Sequence, residues 1–104
     1  RALAFAGTDE AAAALMRKFA DAGELTGVRQ HAADSLTRYQ TDAVFAAFIA
    51  ALDDADGGIR TQAVVSLYNG FGYDKPRVRP HLERMIADAE AGETAKLYLE
   101  RLGR

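Results

Sequence analysis

The chain has 104 residues, 13 Lys plus Arg against 15 Asp plus Glu for a net charge of −2, and no cysteine. That length holds one domain with one modest core, and the charge balance gives no global field for nucleic acid or an anionic membrane. The missing thiols exclude a disulfide, a thiolate catalyst and a cysteine-based zinc site.

The helix signals are regular along the chain. Arg1-Ala2-Leu3-Ala4-Phe5-Ala6 reads as the tail of a helix, and the opening on Arg1 reads as a fragment or a trimmed chain. Gly7-Thr8-Asp9-Glu10 is expected to end that helix and cap the next, with Thr8 or Asp9 as N-cap. A helix over 11–22 follows, with Leu15, Met16 and Phe19 on one face. After the loop at 23–27, a helix over 28–39 carries Val28, Ala32, Ser35, Leu36 and Tyr39 inward, with Asp34 and Arg38 as an i, i+4 pair outside. The next helix, over 42–53, is capped by Thr41-Asp42. Its Val44, Phe45, Phe48, Ile49 and Leu52 cover most of the circumference, as in the middle of a core, with an exposed apolar dimer face as the alternative. Its apolar run from Ala43 to Leu52 is too short to span a bilayer.

Asp53-Asp54-Ala55-Asp56-Gly57-Gly58 is the next turn, and the following helix covers 59–68. Asn69-Gly70-Phe71-Gly72 is expected to stop it, because glycine accepts φ > 0 at a helix C-terminus. Tyr73 to Arg79 reads as a basic connection. A helix over 80–91 then starts at Pro80, with Leu82, Met85, Ile86 and Ala89 inward. Gly92 ends it, and a last helix over 93–102 places Leu97, Tyr98 and Leu102 on one face. No period-two alternation marks a strand.

The chain repeats a phrase. Val28-Arg29-Gln30-His31-Ala32-Ala33-Asp34-Ser35-Leu36 recurs as Ile59-Arg60-Thr61-Gln62-Ala63-Val64-Val65-Ser66-Leu67, 31 residues later. Such a period with helical spacing inside it is the signature of a solenoid. Val28/Ile59, Ala32/Ala63 and Leu36/Leu67 pack between helices. An arginine early in a helix is poorly placed against the macrodipole. Arg29 and Arg60 are therefore read as ties to an aspartate in an adjacent turn, with ligand contact as the alternative.

An apolar helix, an Asp-rich turn, Ile59-Arg60, then Ala63 and Leu67 closely resemble a HEAT repeat, particularly the short variety of phycobilin-lyase-type HEAT proteins. Val28-Arg29 with Ala32 and Leu36 is a second match; Thr94-Ala95 replaces the Val-Arg pair in a third, poorer one. The resemblance covers nearly the whole chain. It implies one all-α domain over 1–104, a right-handed α-solenoid of six to seven helices in HEAT-like hairpins. It also implies that the helices at 28–39, 59–68 and 93–102 line the inner surface.

Catalytic chemistry is sparse. His31 and His81 are not in a metal-pair spacing. Asp54-x-Asp56-Gly57 fails as a calcium loop, since Leu52 and Ala63 would occupy its first and twelfth positions. The acidic turn is read as a helix cap instead. Ser35 and Ser66 sit within helices, and no phosphate loop is present. The expectation is a non-enzyme without cofactor or metal.

Two groupings stand out. Tyr68, Phe71 and Tyr73 followed by Lys75, Arg77 and Arg79 interleave aromatics with cations. This suits an acidic peptide or a nucleic-acid strand, or else covers the end of the core. Val65, where the first copy has Asp34, falls toward the solvent side of its helix and extends the patch, unless the last helix covers it. The reading is a cytoplasmic protein-interaction module or scaffold that binds a protein or acidic peptide and not a membrane. Nucleic-acid binding through 75–79 is the alternative, a chromophore-lyase-like role the weakest. Leu3 and Phe5 leave the amino end uncapped, so self-association there, or a missing preceding segment, is expected.

Overall fold

The computed structural model describes the backbone of residues 2–103 and the side chains of residues 10–103. Leu3 and Phe5 fall outside the described side chains. Among the described residues six α-helices form three hairpins: α1 (Ala2–Ala20) with α2 (Thr26–Leu36), α3 (Asp42–Ala51) with α4 (Gly57–Phe71), and α5 (Lys75–Arg84) with α6 (Gly92–Leu102). A 3₁₀ turn, Met85–Ala87, extends α5. The described residues contain no strand, and no helix among them is long and apolar enough to cross a membrane.

The hairpins stack into a two-layered slab of 42 × 32 × 16 Å. The second helices α2, α4 and α6 pack closely in series. The first helices stand further apart, and the α3 and α5 backbones barely touch. Long side chains span that gap. Arg77 pairs with Asp42 at 3.0 Å, Arg84 pairs with Asp53 at 3.1 Å, and His81 sets its ring edge-on to Phe45 at 5.7 Å.

The core runs between the layers as a chain of edge-to-face aromatics. Phe19 meets Phe48 at 5.9 Å, Phe48 meets Phe71 at 6.2 Å and Phe71 meets Phe45 at 5.0 Å, the preferred geometry of quadrupolar rings. Leu36 and Leu67 are fully buried, as are Ile59, Val64, Val78 and Leu82. Local caps set the helix starts. Thr41 accepts from the Val44 N–H, and Asp56 accepts from the Gly58 N–H.

Several boundaries differ from the sequence expectation. Helix α1 runs unbroken through Gly7-Thr8-Asp9. The glycine costs about 1 kcal/mol in a helix, and the alanines on both sides outweigh it. Helix α2 ends at Leu36, so Arg38 lies in a turn and makes no pair with Asp34; Asp34 instead accepts from Gln62. Helix α3 keeps Ala43, Ala46 and Ala50 exposed, so its burial is one-sided. Helix α4 continues through Asn69-Gly70 to Phe71. Gly70 lies where a Cβ would already touch Thr37 at 3.4 Å, so it marks a close helix approach and not a stop.

The basic connection is also helical. Pro76 opens α5 and Pro80 sits inside it. Both prolines are exposed, so the Pro76 carbonyl that Pro80 leaves without a donor lies on the solvent side. The shift to 3₁₀ after Arg84 breaks the 3.6 period. Ile86 and Ala89, expected inward, are exposed. Gly92 begins α6 instead of ending its predecessor, and Leu97 turns outward at 45% exposure.

Candidate functional site

The repeat arginines hold the hairpins together. Arg29 is 3% exposed. Its Nε donates to the Phe19 carbonyl at 2.8 Å, and its Nη2 reaches Asp54 Oδ2, in the next hairpin's turn, at 2.5 Å. Arg60 repeats the pattern. It donates to the Asp54 carbonyl at 2.9 Å and to Asp88 Oδ1, again one hairpin on, at 3.0 Å. The aspartates respond. The Arg29 hydrogen bond holds the Asp54 carboxyl below its usual range against the opposing effect of burial. Asp88 is held low by the Ala91 and Glu90 N–H groups and by Arg60, and Asp56 by the Thr26 hydroxyl and the Gly58 N–H.

Ala32, Leu36, Ala63 and Leu67 are buried beside them. Ile59 is fully buried, but its counterpart Val28 is only half-buried.

The aromatic and basic residues expected to act together are separated by the fold. Phe71 is fully buried on Phe45 and Phe48 and presents no surface. Arg77 is spent within the structure: its guanidinium lies 3.9 Å from the Phe45 ring centre and pairs with Asp42. Arg79 donates to the Gly103 carbonyl at 2.6 Å, at the C-terminal end of α6, where a cation also offsets the helix dipole. In the Val64-Val65 pair Val64 is the fully buried residue, and Val65 is half-buried on the outward stripe of α4.

What remains accessible is a recess of about 250 Å³ at the exit of α4, lined by Tyr68, Asn69, Gly72, Tyr73, Lys75 and Arg101. Gly72 has no room for a side chain, because a Cβ there would stand 2.4 Å from the Tyr68 carbonyl oxygen. Tyr73 is 66% exposed. Tyr68 stacks on Tyr98 of α6 at 4.7 Å, and Arg101 lies 5.4 Å over the Tyr98 ring. Neither Lys75 nor Arg101 has an acidic partner among the described residues.

Sequence reasoning missed Asn69, Leu97 and Tyr98 as surface residues, and read Arg101 as part of a charged end cap and not as a neighbour of Tyr68 and Tyr73. Tyr68 and Tyr98 meet across the neighbouring second helices α4 and α6, and because α6 is offset from α4 by more than the 31-residue repeat, the repeated phrase carries no signal for that contact.

His31 is exposed, and His81 is half-buried on Phe45. Burial, then Arg84 and Arg77, hold the His81 imidazole below its usual range. No group of three or more His, Asp or Glu among the described residues could hold a metal ion.

No curated protein and no solved structure matches the chain. A family model described as HEAT repeats matches residues 17–100. With its helical hairpins and repeated arginine–aspartate ties, a match over that much of the sequence means that the chain belongs to the HEAT-repeat family.

Proposed function

We propose that this chain is a non-catalytic interaction module that captures an acidic segment of a partner protein on the exposed side of α2, α4 and α6. HEAT repeats generally mediate protein interaction or scaffolding and are typically non-enzymatic. The observation that carries the finer reading is the recess at the α4 exit, where Tyr68 and Tyr73 stand beside Lys75 and Arg101 with no acidic partner supplied by the described residues. Aromatic anchors flanked by cations suit an acidic peptide bearing an apolar side chain. Val65 and the exposed Leu97 extend the apolar part of the surface. Arg77 and Arg79 are engaged at Asp42 and at the Gly103 carbonyl and do not line the recess.

The same engagement argues against nucleic acid, since phosphate binding needs several free cations along one track. The test is fluorescence anisotropy with a labelled peptide of alternating Glu and Leu. Binding should weaken about tenfold or more in the Lys75→Glu, Arg101→Glu double variant, with the melting midpoint retained. Binding unaffected by the double variant, or tighter salt-sensitive binding of single-stranded DNA, overturns the reading.

A further inference from the structure

Helices α4 and α6 run parallel, side by side. Arg60 meets Asp88 at 3.0 Å where the two helices start, and Tyr68 stacks on Tyr98 at 4.7 Å further along. A Cβ on Gly103, just past the end of α6, would stand 3.4 Å from the Lys75 ammonium nitrogen. The furrow between the two helices carries opposite charges at its two ends. At the starting end the Glu90 carboxylate lies over Gly57, the first residue of α4, where a Cβ would collide with it. Glu93, in the first turn of α6, is exposed on the same outward face as Leu97 four residues on. Neither glutamate has a cationic partner among the described residues. At the far end stand Lys75 and Arg101, which have no acidic partner there either.

Between these ends the surface is uncharged. Thr61, Val65 and Thr94 are half-buried, and Leu97 is exposed. Lys96 and Glu100 lie two residues either side of Tyr98, which puts them on the side of α6 opposite the furrow. Glu93 and Arg101 are eight residues apart, so the charged ends are separated by about 12 Å at the rise of an α-helix. Three electrostatic preferences then agree on one way for a helix to fill the furrow. Its acidic residues belong at Lys75 and Arg101, and its basic residues at Glu90 and Glu93. A helix is itself stabilised by acidic residues in its first turn and basic ones in its last. Such a helix lies antiparallel to α4 and α6, so its dipole also opposes theirs. A helix turned the other way would match the side-chain charges only against its own dipole.

We propose that the acidic segment taken up at the recess is the first turn of an amphipathic partner helix lying antiparallel along α4 and α6. An apolar residue of its middle turn rests on Val65 and Leu97, and a Lys or Arg of its last turn reaches Glu90 and Glu93. This rests on the recess reading and adds the conformation, the direction and the basic end of the segment.

The test uses an acetylated and amidated peptide of about 14 residues, long enough to span both charged ends as a helix. It carries two Glu in its first turn, Leu in the middle and two Lys in its last turn; a second peptide has Gln for both Lys. In anisotropy titrations of the full chain at low salt, Glu90→Gln with Glu93→Gln should weaken the Lys-ended peptide about fivefold and leave the Gln-ended peptide unchanged, with the melting midpoint retained. A nitroxide on the amino end of the bound peptide should broaden the amides of residues 72–75 and 101–103, and one on its carboxyl end those of residues 58–61 and 90–94. The exchanged broadening pattern overturns the proposal, as does a Lys-ended peptide indifferent to the glutamate pair; binding that still falls in the Lys75→Glu, Arg101→Glu double variant then leaves the recess reading intact. Failure of both peptides where the alternating Glu and Leu peptide binds overturns the proposal alone. Failure of all three removes the recess reading with it.

Discussion

Replacing Arg29 with methionine keeps most of the side-chain volume and removes the guanidinium from the most enclosed of the repeat ties. Arg29 is 3% exposed, while the Asp54 side chain keeps 19% of its surface in water. The Phe19 carbonyl would lose its Arg29 donor and Asp54 its cation. Breaking a fully buried pair from one side costs about 3–5 kcal/mol. Water at Asp54 can solvate the orphaned carboxylate, which lowers the expectation to about 2–3 kcal/mol. In a chain of this size that corresponds to a fall in the thermal midpoint of roughly 10 °C or more. Arg60→Met should cost less, because Arg60 and Asp88 each retain 20% exposure. Far-UV circular dichroism melts of both variants, with Asp54→Asn and the Arg29→Met, Asp54→Asn double variant to complete a cycle, measure the coupling directly. An Arg29→Met midpoint equal to that of the parent, or a larger loss in Arg60→Met, would refute the view that enclosure sets the strength of these ties.

Other consequences are open to measurement. Leu36→Ala and Leu67→Ala should each cost about 2–5 kcal/mol in urea unfolding, as truncations at fully buried sites, whereas Leu97→Ala at an outward position should stay within about 0.5 kcal/mol of the parent; equal losses at Leu67 and Leu97 would show that the register of α4 or α6 is wrong. Gly27→Ala should stabilise by about 0.4–1 kcal/mol, since it lies in α2 with nothing near its missing Cβ; a lowered midpoint would contradict the open face. Stability should fall on acidification in two stages. His81 is held below its usual range, so the unfolded chain takes up a proton first and stability erodes as pH drops through about 6.5. Asp54, Asp56 and Asp88 contribute fully above the unfolded value near about 4, and that contribution is lost as pH falls through their lower folded values. A urea midpoint that climbs between neutral pH and pH about 5 would refute the His81 assignment.

The hairpin architecture was legible because the repeated phrase places Ala32, Leu36, Ala63 and Leu67 at helical spacing, and burial follows that spacing. Boundaries were less legible where glycine and proline had two meanings. Gly70 reads as a stop but permits close approach to Thr37, and Pro80 reads as a helix start but lies one turn inside a helix that Pro76 begins. The local signal is the same in each pair of meanings, and tertiary packing decides between them. The aromatic and basic segment was legible as a composition but not as a surface. Helical rotation carries Phe71 into the core and leaves Tyr68 half-exposed, and Arg77 and Arg79 find partners 35 and 24 residues away. Contacts at that separation leave no trace in local spacing.

The uneven spacing of the two layers has a mechanical consequence. The close-packed α2, α4 and α6 act as the backing of a leaf spring. Between α3 and α5, the opposite side is braced chiefly by the Arg77–Asp42 and Arg84–Asp53 pairs and by His81 against Phe45. Asp42, Asp53 and Arg84 are well exposed, so dissolved salt screens these braces while leaving the apolar backing intact. Raising the ionic strength therefore loosens this side of the stack before it touches the apolar backing. A partner that flattens or tightens the stack works against a few solvated ion pairs, a load small enough for a single binding event to shift.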